Sequence, residues 1–320
     1  MSKLKELTLE LTDWCPLQCL HCSSLSDGSC RNYLGEKLAV NLIEQAACLG
    51  AEKISFGGGE PTAATSFFPS LDRVIELGML AEVFTCGIQK KGRSFSALSN
   101  KFLNKFQNVN EVKFIFSLYG TTPDIHDCIT TVPGSFLMLI KSLRKLLESG
   151  IRCEINFVPL KSNISQFDDV VRFVEDVNLT KISILRFVPQ GRGSLYRHEL
   201  ELSPEEESQF VERLLTLRKN TQIEIRTGSP FNGIVPGNKV PCRAGHEKLV
   251  VQANGNVLPC EVFKHHDRCD WGFSVYKQSL SDILNSSRLI SLRDSLDSSS
   301  CMKCPVHSLA KICLPKGCPA

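Results

Sequence analysis

Three cysteines near the start of the chain have the residue type and spacing of metal ligands. Cys15, Cys19 and Cys22 form the pattern C-x3-C-x2-C in the loop after a predicted strand. Thiolates are soft ligands that suit iron or zinc. A closed structural site takes four protein ligands, whereas three leave one position open for a substrate or cofactor, as catalytic metals require. The spacing therefore indicates a catalytic metal site, and a four-thiolate zinc site completed by Cys30 is the alternative.

A second motif follows one βα unit later. Gly58, Gly59 and Glu60 stand at the carboxyl end of the second predicted strand. Glycines let a ligand approach the backbone, and a carboxylate can accept hydrogen bonds from an ammonium group. Alone, these residues would usually form only a strand-to-helix turn, but their place after the cysteine triplet favours a ligand site.

In this order, the two motifs resemble those of the radical S-adenosylmethionine (radical SAM) enzymes. In that family the three cysteines hold a [4Fe-4S] cluster, whose open iron binds the amino and carboxylate groups of SAM, and reductive cleavage of SAM yields a 5′-deoxyadenosyl radical. The resemblance implies that Gly58, Gly59 and Glu60 hold the SAM amino group. It also implies SAM contacts for residues at the later strand ends, namely Thr85, Gly87, Ser117, Asn156, Leu185 and Arg186.

One departure from the family pattern concerns the SAM carboxylate. Relatives often carry an arginine shortly after a His-Asp pair downstream of the fourth strand, whereas here His126 and Asp127 are followed by Cys128. We therefore expect Ser117 and Arg186 to contact the carboxylate. Each of the two could instead only satisfy a strand end or form a surface ion pair.

Six further cysteines cluster in the last quarter of the chain: Cys242, Cys260, Cys301, Cys304, Cys313 and Cys318. With Gly255 five positions before Cys260, this region resembles the SPASM/twitch extension of radical SAM enzymes, which holds one or two auxiliary [4Fe-4S] clusters. The first four cysteines match the single-cluster twitch form. Cys313 and Cys318 fit a fuller SPASM pattern, although the last cysteine of that pattern is missing. In isolation, such cysteines would favour zinc.

Two residues beside these motifs are candidates for catalysis. Glu261 directly follows Cys260, and in some related enzymes a carboxylate at this place deprotonates the substrate, which requires hydrogen-bond reach of the proton. Cys86 replaces an asparagine that is common at the end of the third strand, and its thiol could donate a hydrogen atom to a substrate radical. The alternatives are a solvated Glu261 and a Cys86 that serves only in packing.

The composition is that of an ordinary globular protein with an excess of cysteine. The chain has 320 residues, 15 of them cysteine, and a net charge of +3. No signal-peptide core follows the first residue, and no apolar run reaches the roughly 18 residues that a membrane helix needs. The cysteines thus indicate metal or redox chemistry rather than disulfides. We predict a cytoplasmic protein that binds neither membrane nor nucleic acid, because its basic residues are scattered.

Hydrophobic periodicity predicts strands that alternate with helices. The strand patterns lie at 3–12, 53–56, 81–86, 111–118, 152–158, 181–189 and 222–226, and the helical patterns at 38–49, 68–80, 96–107, 135–149, 165–177 and 203–219. Such alternation implies a parallel sheet, either open and doubly wound or closed into part of a barrel. The family resemblance implies the α/β class with a partial (β/α)6 TIM-like barrel. We place this barrel at 1–200, a linking helix and strand at 201–235, and a small cysteine-rich SPASM/twitch domain at 236–320.

The function implied by the resemblance is that of a radical SAM oxidoreductase or maturase. We expect it to abstract a hydrogen atom from a substrate carbon, with electrons supplied by a flavodoxin or ferredoxin. SPASM/twitch relatives mostly modify ribosomally made peptides, so a peptide substrate is expected. Since the chain begins at the barrel, without a leader-binding domain before it, a small molecule such as a sugar, aminoglycoside or cofactor precursor is the alternative. A zinc-stabilised binding module is the alternative outside the enzymes.

Overall fold

The computed structural model describes residues 3–92, 94–106, 109–264 and 271–298. The strands are β1 (Glu6–Thr12), β2 (Lys53–Gly58), β3 (Leu80–Thr85), β4 (Ile88–Lys91), β5 (Ser94–Ala97), β6 (Val112–Ser117), β7 (Arg152–Phe157), β8 (Lys181–Ile184), β9 (Glu224–Thr227), β10 (Lys248–Val251) and β11 (Val257–Leu258). The helices are α1 (Glu36–Cys48), α2 (Phe67–Glu76), α3 (Asn100–Leu103), α4 (Pro123–Thr130), α5 (Ser135–Glu148), α6 (Phe167–Asp176), α7 (Arg192–Leu195), α8 (Arg197–Leu200), α9 (Pro204–Asn220), α10 (Leu280–Leu284) and α11 (Ser287–Ser298).

One large sheet organises the described part of the chain. Its strand order is β11-β10-β1-β2-β3-β6-β7-β8-β9, and every neighbouring pair is parallel except β10 and β11. The six predicted βα units begin with β1, β2, β3, β6, β7 and β8. Because consecutive parallel strands all end at the same edge, the loops after them meet there.

The two faces of β1 show why the sheet closes around a polar interior. Successive strand side chains point to opposite faces, and Leu7, Leu9 and Leu11 join the apolar core that the sheet forms with the outer helices. The side chains of Glu6, Thr8, Glu10 and Thr12 alternate with them and are also buried. This inner face is therefore buried but polar, which suits a polar ligand rather than a second apolar core.

A chain of ion pairs crosses the inner face. One charged side chain on each of six adjacent strands takes part, with alternating sign and N–O distances of 2.8–3.4 Å: Lys248, Glu6, Lys53, Glu82, Lys113 and Glu154. A slip of one residue in any strand would turn its charge to the other face. The pairs therefore help to specify the register of the sheet.

The chain after β3 differs from the prediction. Strands β4 and β5 form an antiparallel hairpin that takes up the first two residues of the helix predicted at 96–107. The short α3 and a 3-10 turn that ends at Phe106 follow in place of the rest of that helix. Phe95, Leu98 and Phe102 have helical spacing, which explains the misassignment. The hairpin begins after Gly87, whose φ of +73° turns the chain out of β3. Helix α4 was not predicted.

Strands β9, β10 and β11, all after residue 200, join the same sheet. Strand β10 pairs in parallel with β1 at one edge, and β9 pairs with β8 at the other. The predicted division at 201–235 and 236–320 stays a prediction. No helix in the described residues is long and apolar enough to cross a membrane.

We expect His126 to make the protein acid-sensitive. Its Nδ1 accepts a hydrogen bond from the Tyr119 backbone N–H (3.2 Å), and burial lowers its pKa to about 4. Between pH 6.5 and 4, His126 is protonated in the unfolded chain but stays neutral in the folded chain. The free energy of unfolding therefore falls as the pH decreases towards 4. The loss is roughly 3 kcal/mol, at 1.36 kcal/mol per pKa unit.

Urea unfolding of His126→Gln and the parent protein between pH 7 and 4 measures this effect. The variant should lose less stability than the parent as the pH falls. Parallel stability curves for the two proteins would contradict the prediction.

Candidate functional site

The first three cysteines lie in an irregular loop at the carboxyl end of β1, which we call the cysteine loop (residues 15–30). Hydrogen bonds anchor its first part to the end of α4, from the Gln18 N–H to the Thr130 carbonyl (3.1 Å) and from the Leu20 N–H to the Ile129 carbonyl (2.9 Å). The unpredicted helix α4 thus supports the predicted metal loop.

The three thiols share one partly buried region. Burial raises the pKa of Cys19 well above its usual value, and the neighbouring Cys15 and Cys22 raise it further. Three thiolates so close together repel one another electrostatically. A bound cation or cluster would offset this repulsion, because its positive charge stabilises the deprotonated thiols that ligate it. The donor set therefore fits an iron-sulfur cluster.

The alternative of a zinc site needs Cys30 beside the other three thiols. Among the described residues, no three Cys, His, Asp or Glu side chains are arranged to bind one metal ion. Cys30, the proposed fourth zinc ligand, instead directs its Sγ to the Leu25 carbonyl (3.6 Å) and the Asp27 carboxylate (3.7 Å).

The structure brings the Gly-Gly-Glu motif against the start of the cysteine loop. The Gly59 N–H donates to the Thr12 carbonyl (2.7 Å), and the Glu60 N–H donates to the Trp14 carbonyl (2.8 Å). A Cβ on Gly58 would lie 2.3 Å from the Thr12 oxygen, and one on Gly59 would lie 2.1 Å from the Trp14 oxygen. Both glycines are therefore required for direct backbone packing between the two motifs.

The Glu60 carboxylate is buried and held in place. Its Oε1 accepts hydrogen bonds from the N–H (3.2 Å) and hydroxyl (2.6 Å) of Thr62 and from the Thr85 hydroxyl (2.8 Å). Its Oε2 accepts one, from the Cys86 N–H (2.8 Å). A carboxylate oxygen has two lone pairs, so Oε2 keeps capacity for an ammonium donor.

The other predicted SAM contacts also lie near the carboxyl edge of the sheet. Ser117 and Asn156 are register partners on β6 and β7. Leu185 follows β8 and is 41% exposed, and the Arg186 side chain donates to the Pro230 carbonyl (3.2 Å). The assignment of these residues to SAM stays a prediction.

Cys86 lies between the two motifs. Burial raises its pKa well above the usual value, and Cys15 and Glu60 raise it further. The thiol therefore keeps its proton near neutral pH. Its role as a hydrogen-atom donor stays a prediction.

The second cysteine cluster is described only in part. Cys260 follows β11, and burial raises its pKa to about 12, with further contributions from Glu261 and Cys242. Cys301, Cys304, Cys313 and Cys318 lie outside the described residues. Gly255 has a φ of +84°, and a Cβ there would lie 2.3 Å from the Tyr276 ring, so the glycine of this motif is required locally.

Glu261 is ion-paired rather than free, and its side chain is 36% exposed. Burial alone would raise the pKa of its carboxyl group, but the ion pair with Lys248 (2.7 Å) lowers that pKa to about 2. The Thr8 hydroxyl donates to the same carboxylate (3.3 Å). A carboxylate with so low a pKa accepts protons poorly, and its role as a base stays a prediction.

Two buried cations near the cysteine loop were missed by sequence reasoning. Lys264 forms an ion pair with Glu10 and donates to the Ser24 hydroxyl (2.8 Å), so it ties the segment after Cys260 to the cysteine loop. Arg192 contacts the same loop from the segment after β8. The only signal for Arg192 was its place between two glycines, and nothing in the sequence distinguished Lys264 from a surface lysine.

An open groove of about 610 Å³ runs beside the cysteine loop, and its lining includes Trp14, Arg31, Tyr33 and Lys90. A second hollow of about 640 Å³ shares Tyr33 and reaches Tyr276. Tyr33 and Tyr276 are each 64% exposed. Exposed aromatic side chains along a groove are typical of binding surfaces.

Two family models match the chain. One, described as the radical SAM superfamily, matches residues 9–174, and the other, an iron-sulfur cluster-binding domain called SPASM, matches residues 242–305. The second range contains Cys242, Cys260, Cys301 and Cys304.

Three known proteins illustrate the similarity. Mycofactocin maturase MftC of Mycobacterium tuberculosis is 25% identical over 315 residues, covering 93% of this chain and 75% of that protein. PqqA peptide cyclase of Ruegeria pomeroyi is 24% identical over 262 residues, covering 79% and 66%. The structure of Streptococcus suis SuiB bound to SAM superposes with a TM-score of 0.77 at 21% identity, covering 99% and 73%. The shared fold confirms the predicted α/β barrel class.

Proposed function

This chain belongs to the radical SAM superfamily, and from that membership we propose that it cleaves SAM reductively and modifies a ribosomally made peptide. The observation that carries the proposal is the cysteine loop packed against the Glu60 motif at the carboxyl edge of the sheet. In this proposal Cys15, Cys19 and Cys22 bind one [4Fe-4S] cluster. Cys242, Cys260, Cys301 and Cys304 bind an auxiliary one.

The residues of the chain supply binding and orientation. When bound, the first cluster supplies the electron that cleaves SAM to a 5′-deoxyadenosyl radical. Glu60 accepts the SAM ammonium group through Oε2, because Oε1 is occupied by Thr62 and Thr85. The buried inner face limits access of water to the reacting atoms. A flavodoxin or ferredoxin is the proposed electron donor.

A peptide substrate is supported by the relatives and by the groove. Two of the relatives are named a maturase and a peptide cyclase, and the first covers nearly the whole chain. The groove beside the cysteine loop is open and carries the exposed aromatic side chain of Tyr33, which suits an extended chain better than an enclosed pocket would.

The test uses protein reconstituted with iron and sulfide under anaerobic conditions, with SAM and a reductant. Peptides from open reading frames adjacent to the gene are added one at a time, and sugars and aminoglycosides are added in parallel. We expect 5′-deoxyadenosine formation, and a mass change only in a peptide. A modified small molecule with unmodified peptides would establish the alternative substrate class instead.

The groove predicts a separate effect on peptide affinity. Tyr33→Ala should raise the KM for the peptide about 10-fold, because an exposed aromatic anchor typically contributes 1–3 kcal/mol to binding. The rate of SAM cleavage without peptide should not change. Leu195→Ala, at the most exposed large apolar side chain on α7, is the matched control. An unchanged KM in Tyr33→Ala would exclude the groove as a peptide site.

A further inference from the structure

The segment after β8, residues 190–193, lies directly on the cysteine loop. Arg192 is only 8% exposed. Its backbone N–H donates to the Cys22 carbonyl (2.9 Å). Its guanidinium donates to the carbonyls of Cys19 (3.0 Å), Ser26 (3.2 Å) and Leu25 (3.4 Å) and to the Asp27 carboxylate (3.4 Å). Every one of these acceptors belongs to the cysteine loop.

The glycines on either side of Arg192 allow this close approach. Gly191 has a φ of +57°, and a Cβ there would lie 2.6 Å from the Ser23 oxygen and 2.7 Å from the Cys22 oxygen. A Cβ on Gly193 would lie 3.1 Å from the His21 oxygen. The backbone of the segment therefore rests on the backbone of the cysteine loop on both sides of the arginine.

The cysteine loop needs partners of this kind. It contains neither helix nor strand in the structure, so its buried carbonyls receive no hydrogen bonds from a regular ladder. A guanidinium offers five N–H donors in one rigid plane. By binding Cys19 on one side and residues 25–27 on the other, Arg192 fixes the distance between the part of the loop that carries the ligands and its return to α1.

We propose that Arg192 is a positioning residue, which holds the cysteine loop in the shape that binds the first cluster. This inference rests on the proposed function, because it takes Cys15, Cys19 and Cys22 as cluster ligands. The planar guanidinium group is essential for this role, and a positive charge alone is not sufficient. A lysine ammonium cannot bridge the two sides of the loop.

The experiment measures iron release from reconstituted protein to a chelator. The kinetic phase that disappears when Cys15, Cys19 and Cys22 are replaced by alanine is assigned to iron bound by the cysteine loop. Arg192→Gln should accelerate that phase 10- to 100-fold, the usual effect of removing a group that orients metal ligands. Arg192→Lys should restore only part of the parent behaviour. The matched control is Arg197→Gln, five residues after Arg192, which removes a surface ion pair with Glu201.

A spectroscopic readout accompanies the release rates. The electron paramagnetic resonance spectrum of the reduced cluster in the cysteine loop should change when SAM is added to the parent and to Arg197→Gln. In Arg192→Gln the change should be weaker or need more SAM, because the open position is no longer correctly placed.

Three outcomes would overturn the proposal. One is release of loop iron from Arg192→Gln at the parent rate, and another is complete rescue by Arg192→Lys. The third concerns the parent protein in enough urea to lower its free energy of unfolding to that of Arg192→Gln. If it then releases loop iron as fast as Arg192→Gln does, the role of Arg192 is merely structural. If the parent itself binds no iron in the loop, the proposed function fails instead.

Discussion

Replacement of Cys15, Cys19 and Cys22 by alanine should abolish formation of 5′-deoxyadenosine. These thiols share one partly buried region beside the Glu60 motif, and the described structure offers no other set of thiols there that could replace all three. Without these thiols the chain would lack the residues that would hold the first cluster, which would bind SAM and supply the electron for its cleavage. The measurement is chromatography of anaerobic reactions that contain SAM and a strong reductant.

The control for this variant replaces Cys48, an exposed free cysteine on α1, by alanine. It should form 5′-deoxyadenosine at the parent rate. The triple variant should still contain iron and sulfide after reconstitution, because the proposed auxiliary site with Cys242 and Cys260 is intact. About one zinc and no sulfide in that protein would contradict an auxiliary iron-sulfur cluster, and continued 5′-deoxyadenosine formation would contradict the first site.

Lys264→Met should lower the free energy of unfolding by about 3–5 kcal/mol, the usual cost of removing one partner of a buried ion pair. Lys264 and Glu10 are 6% and 5% exposed, so the substitution leaves a buried carboxylate without its cation. It also removes the hydrogen bond to Ser24 in the cysteine loop. Urea unfolding of the metal-free protein at pH 7 measures the loss.

Two further variants test the cause of that loss. Lys181→Met removes a lysine whose partner Glu224 is 60% exposed, and it should cost less than about 1 kcal/mol. Adding Glu10→Gln to Lys264→Met should recover part of the stability, because no unpaired charge then remains buried. A cost below 1 kcal/mol for Lys264→Met alone would show that the buried pair contributes no more than a surface pair.

The sequence by itself determined the features that depend on neighbours along the chain. The period-two pattern of β1 and its successors depends on local backbone geometry, so four of the six barrel strands were predicted within two residues at each end. The predicted β1 began three residues too early, and the predicted β8 ended five residues too late. The spacing of Cys15, Cys19 and Cys22 indicated a metal loop for the same reason, since ligands of one site can lie within one short loop. Gly58 and Gly59 indicated a place where a ligand or another segment can approach the backbone closely.

Only the tertiary structure decided which distant residues surround these motifs. Arg192 contacts Cys19 across 173 positions, and Lys264 contacts Ser24 across 240, yet in sequence both look like ordinary surface cations. The sequence placed Glu261 beside Cys260, but only the fold shows that its carboxylate forms an ion pair with Lys248. Strand β10 pairs with β1 because its apolar residues complete the same core, which no local pattern reveals. Burial and partners are set when the strands assemble, and these decide whether a charged side chain is solvated, paired or available for chemistry.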